Sequence, residues 1–265
     1  MMTRGQLENS IWGFILGDCW GLPYEFNPPF KGFKPFHGYG TFGKPPMTWS
    51  DDTSMMLCLM SSFDGKKFNI KKHKQNLIDW RVKGKFTIDG CFDIGTATQT
   101  AISTNFKHIP SAQYGNGALL RTWIALILGD KQFEELYSLT HTFVNNVSSW
   151  TDLYNTSYDM MSSYAATDKI RELFNNSSVN NQGFGLSGRS GTVQNAVKTS
   201  IEGILNNHSL KEVIEQGYDT DSNAAVYGSL LYINNGIPGE YKKRIRKWEY
   251  LERMINTFLD KVFVK

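Results

Sequence analysis

The stretch Gly217-Tyr218-Asp219-Thr220-Asp221-Ser222-Asn223-Ala224-Ala225 limits the folds open to this chain more than any other. Two carboxylates one residue apart, with hydroxyls beside them, open an apolar run from Ala224 to Leu231 that reads as a buried helix. Carboxylates are almost never fully buried unless they are paired or bound to a cation. A helix needs a single N-cap, which Asp219 or Ser222 alone supplies, so the remaining acid is surplus to structure. The pattern recurs upstream, where Trp49-Ser50-Asp51-Asp52-Thr53 opens Met55-Met56-Leu57-Cys58-Leu59-Met60. Two such helix mouths repel if they meet, unless a cation stands between them. Ser50, Asp51, Asp52, Asp219, Asp221 and Ser222 offer only oxygen, which favours a hard divalent ion such as Mg²⁺ or Mn²⁺ over zinc.

The rest of the chain is expected to be helical. Thr3-Arg4-Gly5-Gln6 fits a capping box and starts a helix through about Asp18, with Leu7, Ile11, Phe14 and Ile15 at helical spacing. Gly13, Gly17 and Gly21 fall four apart on it and leave one face nearly bare, for close helix packing, for close approach of a ligand, or for both. Residues 21–48, rich in Pro, Gly and aromatics, read as an ordered loop. Further helices are expected over 50–63, 69–83, 92–104, 116–128, 133–145, 154–174 and 193–205, with a basic amphipathic helix in the tail from Pro238. The Asn/Ser/Gly-rich segment 175–191 reads as a long active-site loop rather than a domain boundary, because the acidic mouths on either side of it have to meet. With no internal repeat and few hairpin signals, the expected class is an all-α single domain over 1–265.

Bulk properties exclude several functions. A net charge of +3 over 265 residues gives no general electrostatic case for nucleic acid. The lysines between 66 and 85 lack interleaved aromatics suited to stacking on bases. Cys19, Cys58 and Cys91 form neither a disulfide framework nor a zinc pattern, which fits a reducing, cytoplasmic setting. No signal peptide and no window of about 18 apolar residues is present, so a soluble protein off the membrane is expected.

Several motifs are ambiguous singly. Read as a calcium loop from Asp219, the sequence has Ala224 where glycine is required and Leu230 in place of the terminal glutamate, and an EF-hand is rejected. Gly183-Phe184-Gly185-Leu186-Ser187-Gly188 matches a dinucleotide fingerprint by letters alone, with no strand before it. Glu25 is a loop glutamate between apolar neighbours, either solvated or functional. Asp93 is either a helix cap or a working carboxylate. His141, late in a helix, reads first as a core or C-terminal histidine. Tyr114-Gly115-Asn116-Gly117 is a turn that also sets free N–H groups and a ring at a helix mouth, which suits a phosphate and a nucleobase.

Taken in order, these residues resemble the ADP-ribosylglycohydrolase family. The pattern G-x-x-x-G-D-x-x-G-x-P-x-E is met by Gly13 through Glu25, T-D-D-T by Ser50-Asp51-Asp52-Thr53, and D-I-G by Asp93-Ile94-Gly95. Y-G-N-G…M-R is met by Tyr114-Gly115-Asn116-Gly117 through Leu120-Arg121, T-H by Thr140-His141, and G-x-D-T-D-T-x-A-A by Gly217 through Ala225. The likeness runs from about residue 7 to about 240. Ser50 and Ser222 stand where the family has threonine and keep the hydroxyl; Leu120 stands for methionine.

The resemblance implies an orthogonal all-α bundle with two Mg²⁺ or Mn²⁺ ions at the base of a cleft. By that analogy Ser50, Asp51, Asp52, Asp219, Asp221 and Ser222 hold or orient the metals, and Glu25 is a further ligand or a mobile acid. Gly115, Asn116 and Gly117 cradle a diphosphate, and Tyr114 and His141 line the ADP-ribose site. The implied substrate is an ADP-ribosylated protein or an ADP-ribose derivative, with arginine the first-choice acceptor and serine, a nucleobase or a small molecule as alternatives. Cleavage passes through an oxocarbenium-like state; metals can orient the ribose and activate water, Asp51 belongs to that centre, and Glu25 or Asp93 protonates the leaving group. The competing reading is a non-catalytic binder of the same fold. Retention of all six oxygen-bearing residues favours the enzyme.

Overall fold

Thr3 starts the first helix, α1 (Arg4–Gly21), with a complete capping box to Gln6. The computed structural model describes residues 2–65, 67–107, 115–140 and 191–263. Tyr114, His141, the expected helix at 154–174, the loop at 175–190 and the fingerprint-like Gly183–Gly188 lie outside the described residues. α1 is buried along most of its length, and a short 3-10 turn, Leu22–Tyr24, carries it into the 25–48 loop.

α2 (Asp51–Met60) is wholly buried and ends before a two-residue hairpin, β1 (Phe63–Asp64) with β2 (Lys67–Phe68), the only sheet among the described residues. α3 (Ile70–Lys83) is capped by the Asn69 side chain and stopped by left-handed Gly84. α4 (Thr96–Ser103), α5 (Gly117–Ile127) and α6 (Phe133–Ser138) follow. After the undescribed segment come α7 (Val193–Leu205), α8 (Leu210–Ile214) and α9 (Thr220–Leu231). The tail, expected as one helix, is two: α10 (Gly239–Arg244) and α11 (Trp248–Val262), parted by extended Ile245 and left-handed Lys247. α4 starts later than its apolar pattern indicates because Asp93 holds a left-handed backbone at φ 58° that no helix accommodates.

α1 and α9 form the centre of the fold. A β-carbon at Gly13 would overlap the carbonyl of Gly228, and one at Gly17 the carbonyl of Ala224. One at Gly21 would strike the backbone of Thr220 and Asp221. The glycine stripe is therefore a helix-packing face, and it sets the mouth of α9 against the end of α1. Around this pair Trp49, Trp80, Trp123 and Tyr137 are fully buried, and Trp123 Nε1 donates to Ser229 Oγ at 2.9 Å, tying α5 to α9.

Arg121 is buried on α5 without a carboxylate partner among the described residues. Its guanidinium donates to the Leu136 and Tyr137 carbonyls at 2.7 and 3.1 Å and to Thr140 Oγ1 at 2.8 Å. It caps the end of α6, where carbonyls carry partial negative charge.

Candidate metal and substrate cleft

Asp18 joins the first two helices. Its carboxylate accepts from Ser50 N–H at 2.9 and 3.1 Å and from Thr53 N–H at 3.0 Å, which are otherwise orphan donors at the start of α2. It is fully buried, and loss of water pushes its carboxyl up to about 6 against those hydrogen bonds. Sequence reasoning placed Asp18 in a motif but gave it no role in the site. Its isolation at the end of an apolar run was the available signal.

The two acidic helix mouths face each other. Ser222 Oγ donates to Asp52 Oδ2 at 2.9 Å, and Asp51, Asp52, Asp219, Asp221 and Ser222 line one cleft of about 340 Å³ with Glu25 and Asp93. Ser50 is the N-cap of α2, its hydroxyl accepting from Asp52 N–H at 3.1 Å. Asp219 occupies the N-cap position of α9 but makes no cap hydrogen bond. Its Oδ2 instead accepts from the Asn116 carboxamide at 2.6 Å. Glu25, Asp219 and Asp221 each present a carboxylate oxygen within 4.8 Å of the other two.

Backbone strain gathers at the same place. Phe26, Asp93 and Tyr218 have φ of 65°, 58° and 65°, values that aspartate tolerates but that the two aromatic residues avoid unless their surroundings impose them. Phe26 N–H donates to Tyr218 O and Tyr218 N–H to Asn27 O, both at 2.6 Å, locking the Glu25 loop to the Asp219 loop.

Electrostatics in this cleft are adverse for bare carboxylates. Burial first, then the neighbouring acids, hold Asp51, Asp52 and Asp221 well above the usual range. Burial also raises Asp219, opposed by hydrogen bonds from Ser222, Asp221 and Asn116. Glu25 and Asp93 share a hydrogen bond. Burial and the Asp93 charge push Glu25 up to about 11, and burial lifts Asp93 to about 7, so both carboxyls are raised. Asp221 Oδ1 and Glu25 Oε2 are buried without a hydrogen-bond partner among the described residues. Oxygen-only donors, orphaned and repelling, fit a hard divalent cation.

Helix starts offset part of this repulsion. α2, α4, α5 and α9 all begin at the cleft, and the last three have no side-chain cap. Their N-termini carry partial positive charge and suit both carboxylates and phosphate. Gly95, Thr96, Ala97 and Thr98 of α4 line the cleft, a contribution sequence reasoning missed. Gly115, Asn116 and Gly117 line it as expected, with one correction: the Asn116 N–H is not free, since it donates to Gly191 O at 3.0 Å. Asp93 corrects a second reading, because Gly95 is the N-cap of α4 and the Asp93 carboxyl is paired with Glu25 instead.

Residues 3–144 match the ADP-ribosylglycohydrolase family. The chain is 30% identical over 141 residues to ADP-ribosylarginine hydrolase Tri1 of Serratia proteamaculans (strain 568), covering 49% of this chain and 38% of that protein. It is 32% identical over 125 residues to ADP-ribosylarginine hydrolase Tri1 of Pseudomonas putida (strain GB-1), covering 43% and 33%. The matches thus span well under half the length of both relatives. A solved structure described as an ADP-ribosylglycohydrolase-related protein complex has the same all-α fold, with a TM-score of 0.76 and 21% identity over 98% of this chain and 99% of that one.

Proposed function

This chain belongs to the ADP-ribosylglycohydrolase family, and from that premise we propose that it hydrolyses the glycosidic bond between ADP-ribose and a modified side chain, with arginine the preferred acceptor. The observation that carries the reading is the meeting of Asp51 and Asp52 with Asp219 and Asp221 in one cleft, with buried carboxylate oxygens left unpaired. In this proposal Asp51, Asp52, Asp219, Asp221 and Ser222 hold two Mg²⁺ or Mn²⁺ ions, and Ser50 orients them by fixing the turn at Asp52. When bound, such ions supply charge stabilisation for the ribose hydroxyls and an activated water.

The protein's own groups do the rest. Asn116 holds Asp219 in place, the uncapped start of α5 at Gly117 receives the diphosphate, and Tyr114 and His141 are assigned to ADP-ribose by the family resemblance. Glu25 delivers a proton to the departing nitrogen or oxygen, which breaks its hydrogen bond with Asp93, and the proton released by the attacking water restores it. A guanidine leaving group is strongly basic, so a positioned acid accelerates its departure by roughly 10²–10⁴-fold. The chain is taken to work as one catalytic domain in the cytoplasm; no helix among the described residues is long and apolar enough to cross a membrane.

Incubating the protein with arginine-linked and serine-linked ADP-ribosyl peptides, with Mg²⁺, Mn²⁺ or EDTA, tests this. Free ADP-ribose from the arginine-linked peptide, abolished by EDTA, is expected. Release from neither peptide with either metal overturns the reading in favour of a non-catalytic binder.

A further inference from the structure

Phe26 lines the acidic cleft yet is 65% exposed, an unusual state for a ring that burial would stabilise. Its left-handed backbone is fixed by the hydrogen bonds exchanged with the Asp219 loop, so its placement is imposed by the fold. The Phe26 ring centroid lies 6.0 Å from that of Phe42, which lies 5.6 Å from that of Phe92. Lys44 Nζ stands 4.3 Å from the centroid of Phe92 and covers that end of the row. Among the described residues, Phe26 is the exposed ring of the row.

Its position along the chain gives the row a direction. Phe26 follows Glu25 and Phe92 precedes Asp93, so the rings run from one member of the hydrogen-bonded acid pair to the other. The phosphate-receiving turn at Gly115–Gly117 belongs to a different element, the start of α5. The part of a substrate nearest the proton-delivering acids is the group that leaves. Resting on the hydrolase reading above, the geometry points to Phe26 as a specificity-determining platform for the acceptor side chain, and to a planar cation, a guanidinium, as the group that lies on it. A guanidinium gains from an aromatic face; a neutral serine acceptor has neither charge nor plane and gains little.

The test compares wild type with F26L, F26Y and F26A on arginine-linked and serine-linked ADP-ribosyl peptides, together with inhibition by free ADP-ribose. Loss of the ring is expected to raise KM for the arginine-linked peptide by about 3- to 30-fold with kcat changed far less. F26Y restores it and F26L does not. Inhibition by ADP-ribose, which has no acceptor, stays constant throughout. An unchanged KM in F26A, full function in F26L, or ADP-ribose inhibition that weakens in step overturns the platform. Wild-type protein inactive on both peptides sinks the hydrolase reading instead. Calorimetric affinities of wild type and F26A for the arginine-linked peptide then judge the platform alone, and equal values refute it.

Discussion

Ser222 Oγ donates to Asp52 Oδ2 at 2.9 Å, joining residues 170 apart in sequence. The bond links the first turns of α2 and α9, two helix starts that each carry a pair of acids. Alone they would repel. α1 holds them together, through Asp18 bonded to the start of α2 and Gly21 packed on the backbone of Asp221.

Asp221→Asn replaces with a neutral amide a carboxyl held well above the usual range by burial and neighbouring acids. Turnover is expected to fall at least 10²-fold, roughly the effect of losing a metal-centre group, with metal affinity weakened. In EDTA the variant melts no lower than wild type, because the amide is neutral without having to bind a proton. Steady-state rates, metal titration and thermal melts check this, and a fully active variant refutes the metal assignment.

Glu25→Gln and Asp93→Asn separate the members of the acid pair. With Glu25 as the proposed proton donor, Glu25→Gln should lower kcat on the arginine-linked substrate by roughly 10²–10⁴-fold. Asp93→Asn should cost less and shift the pH–rate profile, since it removes the carboxylate that accepts the Glu25 proton in a hydrogen bond. Equal losses with identical profiles would show that the two are not a donor and its partner.

Metal removal should make stability pH-dependent. Raised carboxyls mean that the folded chain binds more protons than the unfolded one, so stability falls as pH rises from the unfolded values of 3.8 for Asp and 4.5 for Glu through the Asp93 value of about 7. In EDTA, Tm is expected to drop between about pH 5 and about pH 8. Saturating Mg²⁺ or Mn²⁺, displacing those protons, should restore about 2.7 kcal/mol at a hundredfold excess over Kd, with a gain that grows with pH. Scanning calorimetry at several pH values measures both; a metal effect independent of pH goes against it.

Gly17→Ala sets a methyl group against the carbonyl of Ala224 on α9. Rigid backbone rather than a flexible side chain is the obstacle, so a cost of about 1–3 kcal/mol or more is expected. Displacement of α9 also moves Asp221, so catalysis should fall further than the folded fraction does. Denaturant unfolding and rates on the same preparation distinguish the two effects.

Cysteine chemistry should play no part. Cys19 and Cys58 are buried with thiols held well above the ordinary value, and burial raises the half-buried Cys91 to about 11. Iodoacetamide treatment of the native protein near pH 7.5 is therefore expected to leave turnover within about twofold, since the thiolate is the reactive form. Loss of activity would implicate a thiol in the site.

Local chemistry made much of this molecule legible in its residues. The Thr3–Gln6 capping box, the Asn69 cap, the Gly84 stop and the apolar rows of α5 and α7 mark helices within a few residues, because capping and periodicity act over one or two turns. The oxygen-only make-up of both acidic mouths was likewise readable as a donor set. The hairpin at 63–68 and the break in the tail were missed, since single residues in left-handed backbone decide them. Only the tertiary structure decided which groups face one another. It paired Asp93 with Glu25 instead of a helix end, turned the Asn116 side chain to Asp219 and its N–H to Gly191, and drew four helix starts to one cleft. Those outcomes depend on burial and on distances between segments remote in sequence, which a chain acquires when α1 and α9 pack backbone to backbone.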